Sequence, residues 1–230
     1  MKRTLLFITI LLGLSLATNS VLAKDKSWDQ GFYLLANAGL TQLNNDNHVV
    51  TAAKFSKDYE LSYGLTLGWD INMWVRPLLN ITYLTATSTA GTATGAAGAF
   101  AAGTFPSESA REHALDITLA NRFSLPYFVR AAEDKSVKFL PYLKIGATAH
   151  SLFVNAPTNA NKVGAFGGGP AVGLGTQLMF GKGFIFNIDF TEHLILQKAH
   201  NQTINNISTK VTDGGFKPRF AVMGGLGWHF

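Results

Sequence analysis

YELSYGLTLGWDI, residues Tyr59 to Ile71, alternates without a break. Tyr59, Leu61, Tyr63, Leu65, Leu67, Trp69 and Ile71 fall on one face, and Glu60, Ser62, Gly64, Thr66, Gly68 and Asp70 on the other. A period of two over a dozen residues specifies a β-strand with one apolar and one polar face. On a helix the same residues would be scattered around all sides.

The same parity recurs along the chain. Residues 31–40 form a first, less regular strand. Val75, Pro77, Leu79, Ile81 and Tyr83 oppose Arg76, Asn80 and Thr82; Leu115, Ile117, Leu119 and Phe123 oppose Asp116, Thr118 and Arg122. Leu143, Ile145, Ala147 and Ala149 oppose Lys144, Gly146, Thr148 and His150. Val172, Leu174, Leu178 and Phe180 oppose Gly173, Gly175 and Gln177; Phe184, Phe186, Ile188 and Phe190 oppose Asn187 and Asp189. Last, Phe220, Val222, Leu226, Trp228 and Phe230 oppose Ala221, Met223, Gly227 and His229. With the Tyr59 strand these make eight, an even number as bacterial single-chain barrels have.

Composition says what the apolar face meets. Charged residues are 14% of the chain, hydrophobic residues 47% and aromatics 12%, against about 25% charged in an ordinary soluble domain. No stretch after the leader approaches the roughly 20 apolar residues of a membrane helix. A lipid-facing sheet must close on itself, because an open edge in hydrocarbon leaves backbone groups unpaired. A soluble lipocalin-like barrel has the opposite sense, with apolar residues around a ligand cavity. Here the polar face is mostly Gly, Ser, Thr, Ala and Asn with few charges, which suits a cramped lumen better than a watery surface. Tyr59, Trp69, Trp74, Tyr83, Phe180, Phe184, Trp228 and Phe230 fall near strand ends, as interfacial girdles do. The expected fold is all-β: a closed, antiparallel, up-and-down transmembrane β-barrel in a bacterial outer membrane.

Residues 1–23 read as a cleaved signal peptide: Lys2 and Arg3, an apolar run from Leu5 to Ala17, and the small-residue site Val21-Leu22-Ala23. The barrel domain is then expected over 24–230. The chain has no cysteine, which excludes disulfides, zinc thiolates and thiol catalysis. The excess of basic residues, net +5, is interspersed with acidic ones, so no nucleic-acid partner is expected. Longer connections (residues 41–58, 86–110, 153–162 and 198–218) alternate with a turn near Asn72, a connection at 126–138 and Gly181-Lys182-Gly183. The long ones belong outside the cell and the shorter ones in the periplasm.

Over the mature chain the sequence resembles the OmpA-like and opacity-protein superfamily of eight-stranded surface barrels. The resemblance rests on Tyr59–Asp70, WVRPLLNITY at Trp74–Tyr83, FLPYLKIGATAH at Phe139–His150 and FAVMGGLGWHF at Phe220–Phe230. It implies a lipid and lipopolysaccharide environment and insertion by the barrel assembly machinery, which reads a C-terminal aromatic signal, here Phe220, Val222, Leu226, Trp228 and Phe230. It also implies surface roles carried by loops, such as adhesion or antigenicity toward a host ligand. A narrow pore or an OmpW-like carrier of small molecules is the alternative, hinted at by inward Leu78, Leu84, Leu140 and Tyr142.

The candidate site is the inward polar set Glu60, Asp70, Arg76, Asp116, Arg122, Lys144 and Asp189, with His150 beside it. Opposite charges in a narrow lumen should pair, since unpaired buried charges are costly. A packed polar plug is expected ahead of a gated ion path, because side chains nearly fill eight strands. Catalysis is not expected. Lipid A deacylases need His and Ser two apart on one strand face, whereas His150 and Ser151 are adjacent, His193 has no such Ser, and His113 precedes Ala114 and Leu115. His48, Asp46 and His200 read as solvated loop residues rather than a metal site. The run Gly164–Gly175 lacks the Gly-Lys-Ser/Thr ending of a phosphate loop and suits close packing. No cofactor is expected.

Overall fold

The computed structural model describes residues 30–42, 59–72, 74–87, 91–93, 103–105, 111–124, 137–155, 163–180, 183–204, 207–212 and 214–230. The leader, Asp46 and His48 lie outside the described residues. In chain order the strands are β1 (Gly31–Gln42), β2 (Tyr59–Asp70), β3 (Pro77–Thr87), β4 (Gly91–Ala93), β5 (Gly103–Phe105) and β6 (Arg111–Ser124). They continue as β7 (Val137–Asn155), β8 (Val163–Phe180), β9 (Phe184–Gln197), β10 (His200–Ile204), β11 (Ile207–Thr212) and β12 (Gly215–His229).

Eight of these close a barrel in the order β1-β12-β9-β8-β7-β6-β3-β2, every neighbour antiparallel. The first and last strands meet with Tyr33 opposite His229 and Thr41 opposite Ala221, and the Phe230 amide donates to the Phe32 carbonyl at 2.7 Å. No barrel edge is left unpaired, as hydrocarbon requires.

The sense of the sheet is the one expected. Leu61, Tyr63, Leu65, Leu67 and Trp69 stand about half exposed on the outside, while Ser62, Thr66 and Asp70 are buried in the lumen. The other seven barrel strands follow the same rule, so the exposed apolar band is the lipid-facing surface. Aromatics cluster toward its ends: Phe32 stacks on Trp69 at 5.0 Å, and Phe180 lies 6.0 Å from Phe184, both near the chain termini.

Three sequence expectations are corrected. Val75 is buried in the turn after β2, not on the lipid face, because the strand restarts only at Pro77. Residues 86–110 and 198–218 are not all loop. β3 runs to Thr87 and β12 starts at Gly215, and the two-stranded ribbons β4-β5 and β10-β11 lie between. β7 has 19 residues and β8 has 18, well beyond the 9–11 or so that cross a bilayer, so these two strands extend past it. Polar and small residues hid these extensions, since period-two patterning fades once one face no longer meets lipid.

Candidate functional site: the lumen

At the end nearest the termini, a local turn builds an ion pair. Asn72 Oδ1 accepts the amides of Trp74 and Val75, each at 2.8 Å, the side-chain mimic of a backbone turn that asparagine favours. The chain therefore reverses at once and returns Arg76 beside Asp70. Arg76 donates from Nε to Asp70 Oδ1 at 2.7 Å and from Nη2 to Oδ2 at 3.1 Å, the bidentate geometry that adds orientation to charge. It also donates to Ser124 Oγ at 2.5 Å and to Gln177 Oε1 at 2.7 Å. His229 Nε2 lies 3.5 Å from Asp70 Oδ2. An apolar cluster of Tyr33, Leu35, Leu140, Met179 and Ile185 packs beside this pair.

The next storey centres on Arg122. Its guanidinium lies over the Tyr142 ring at 4.3 Å and the Tyr33 ring at 5.4 Å, within reach of the attraction between a cation and an aromatic face. Each ring is backed by a glycine. A Cβ on Gly68 would lie 2.0 Å from Tyr33 Cζ, and one on Gly175 would lie 2.5 Å from the Tyr142 hydroxyl. The Tyr142 hydroxyl is within hydrogen-bond distance of Asn187 Oδ1 (2.9 Å) and Asp189 Oδ2 (2.8 Å). Asp189 Oδ1 also accepts from Lys144 and Thr191.

Neutral pairs fill the far side of the lumen: Asn37 and Asn80 both donate to Thr66, at 2.8 and 2.9 Å. Toward the outer end, Asp116 Oδ1 is 2.6 Å from His150 Nδ1 and Asp116 Oδ2 is 3.4 Å from Arg219 Nη1. Arg219 donates from Nε to the Gln42 carbonyl at 3.0 Å, tying β12 to β1. His193 Nδ1 is 2.8 Å from Thr148 Oγ1, which lies 2.7 Å from Thr118 Oγ1.

Of the residues singled out by sequence, Asp70 and Arg76 meet, Lys144 and Asp189 meet, and Asp116 meets His150. Arg122 stands between aromatic rings. Glu60 is half-buried and makes no ion pair with another described residue. Arg219 and His193 lie outside the inward set expected from sequence, although extending the parity of β12 back two residues from Ala221, and of β9 on from Asp189, places both inward; His229, on the polar face of the last strand in the sequence, joins the set through Asp70. β9 runs on past Phe190 to Gln197 and β12 begins at Gly215, ahead of Phe220. His150 is buried and Ser151 half-buried on the opposite face of β7. On the lipid side, Tyr83 Oη and His113 Nδ1 are 2.6 Å apart. Leu78, Leu84, Leu140 and Tyr142 are all buried in the lumen.

Among solved structures, Neisserial surface protein A is 13% identical, with 87% of this chain and 97% of that one covered and a TM-score of 0.48. The N-terminal barrel domain of OprF from Pseudomonas aeruginosa is 11% identical over 87% of this chain and 98% of that one, TM-score 0.43. Ail, the attachment invasion locus protein of Yersinia pestis, solved with the heparin analogue sucrose octasulfate, is 8% identical over 88% and 99%, TM-score 0.44. No curated protein sequence matches. The family model described as outer membrane protein beta-barrel domain matches residues 9–229. This chain, a closed eight-stranded barrel of the bacterial outer membrane, belongs to that outer membrane protein β-barrel family.

Proposed function

We propose that the protein is a non-enzymatic surface barrel whose extracellular connections act in interaction with the surroundings, as adhesin or surface antigen, and whose lumen is a structural plug. The observation that carries this reading is the transverse packing of the lumen. Arg76 donates to Asp70, Ser124 and Gln177 across it at one level, and Arg122 stacks on Tyr33 and Tyr142 across it at the next. With the lumen filled, function falls to the segments beyond the membrane, where binding residues are commonly carried. In planar bilayers the purified barrel is expected to give no discrete conductance steps. Replacing residues 198–214, which include β10 and β11, by a short Asn-Gly turn should abolish binding to host cells. The heat-dependent gel mobility shift of a folded barrel should persist. Conductance steps in the wild type would favour the pore, and unaltered cell binding after all four outer connections are shortened would sink the surface role.

Export by removal of residues 1–23 and insertion by the assembly machinery belong to the same reading. Phe220, Val222, Leu226, Trp228 and Phe230 lie exposed on the lipid side of β12, available to a receptor before closure against β1 and afterwards to lipid and lipopolysaccharide. Removing Phe230 together with Trp228→Ala should lower the folded fraction in cells several-fold. Refolding of the same variant from urea into detergent should stay near the wild-type yield. Equal losses in both assays would mean that these aromatics only stabilise the barrel.

A further inference from the structure

Among the described residues, the buried charges of the barrel interior do not balance. Arg76, Arg122, Lys144 and Arg219 face Asp70, Asp116 and Asp189, four cations against three carboxylates. Each carboxylate is engaged: Asp70 by Arg76, Asp189 by Lys144, and Asp116 by Arg219 with His150. The cation left over is Arg122, which is 2% exposed. Its Nε and Nη1 find no acceptor among the described residues. Two other buried groups share that condition: the Tyr33 hydroxyl, whose ring Arg122 covers, and Gln177 Nε2, whose side chain is held by Arg76. Gln177 is the next inward residue on β8 after Gly175, which pairs with Tyr142, and Arg76 holds its Oε1 so that the amide nitrogen is left to donate.

Unpartnered donors therefore sit on two adjoining levels of the lumen, Gln177 Nε2 on one and Arg122 with the Tyr33 hydroxyl on the next, beside a positive charge that no carboxylate pairs. A buried donor without a partner is costly, and a buried unneutralised charge more so. The faces of Tyr33 and Tyr142 offset part of the charge but accept none of these N–H bonds in the ring-stacked geometry. Water would satisfy donors yet leave the charge, whereas an anion answers both. An interior that side chains nearly fill leaves room only for a small one.

We propose that the lumen holds a single small inorganic anion of halide size at Arg122, with Gln177 Nε2 and the Tyr33 hydroxyl as further donors. The ion completes the polar plug as a structural ligand and stabilises the folded barrel by mass action.

The test uses the whole folded protein in detergent, with sodium bromide or chloride compared against sodium gluconate at equal ionic strength. The temperature at which half the protein shows unfolded gel mobility should rise by about 3–6 °C in halide, as expected near ten times the dissociation constant. Arg122→Met should lose that difference, and Gln177→Leu should reduce it. Crystals grown in bromide should show an anomalous peak within about 3.5 Å of the Arg122 guanidinium, a reading that survives if Arg122→Met does not fold. Equal midpoints in halide and gluconate without a peak would overturn the proposal and assign these donors to water. A halide effect retained in a folded Arg122→Met would also overturn it, as a general solvent effect.

Discussion

Gly68→Val is expected to lose about 3 kcal/mol of stability, at or above the upper end of ordinary overpacking. Gly68 pairs with Tyr33 across β1 and β2, and the ring lies where a side chain would stand, with Cζ at 2.0 Å and the hydroxyl at 2.2 Å from an added Cβ. Tyr33 has no free direction. It is fully buried, packs in the cluster with Leu35, Leu140, Met179 and Ile185, and is covered by Arg122. Displacing the ring therefore also disturbs the stack across the lumen. The urea midpoint in detergent micelles, followed by the gel mobility shift, reads the loss. Tyr33→Ala/Gly68→Val should cost less than the two single changes summed, by about 2 kcal/mol, because contacting residues do not act additively. Additive losses, or a Gly68→Val barrel as stable as wild type, would mean that the ring moves aside freely.

Asp189→Leu is the second large effect, about 3–5 kcal/mol, the usual result of removing one partner of a buried ion pair. Asp189 is the acceptor for Lys144, Thr191 and the Tyr142 hydroxyl together. Lys144 is 4% exposed, so its ammonium has no route to water once the carboxylate is gone. Asp189→Leu/Lys144→Met removes both charges and should recover more than half of the loss, since replacing a buried pair by apolar groups is often close to neutral. The same urea titration decides. A double variant no better than Asp189→Leu alone would show that Asp189 matters through Tyr142 and Thr191 rather than through charge.

Both effects arise inside the barrel, and both leave the lipid-facing surface unaltered. Phe190 and Val222 flank Asp189 and Met223 on neighbouring strands and remain half exposed to lipid whatever fills the lumen. Membrane residence and internal stability are thus carried by alternate residues of the same strands. This is why a lumen variant is expected to fail in urea while still partitioning into membranes when folded.

What could be read from the sequence alone was whatever depends on residues two apart. The alternation at Tyr59–Asp70 assigned inside and outside without any partner strand, and the low charge of the polar face chose lipid for the apolar one. Eight repeats of that pattern, with closure demanded by unpaired edges, set the barrel. The inward placement of Asp70, Asp116, Arg122, Lys144 and Asp189 followed from the same parity, and the Asp70–Arg76 pair was within reach because one short turn joins its members. Tertiary structure alone decided the remaining partners. Lys144 meets Asp189 and Arg219 meets Asp116 across long stretches of chain, and which inward residues share a level depends on strand stagger and tilt around the closed barrel. For the same reason Arg122 is left between two tyrosines instead of beside a carboxylate: register, a property of strand pairs and not of strands, put the nearest acids within reach of other cations.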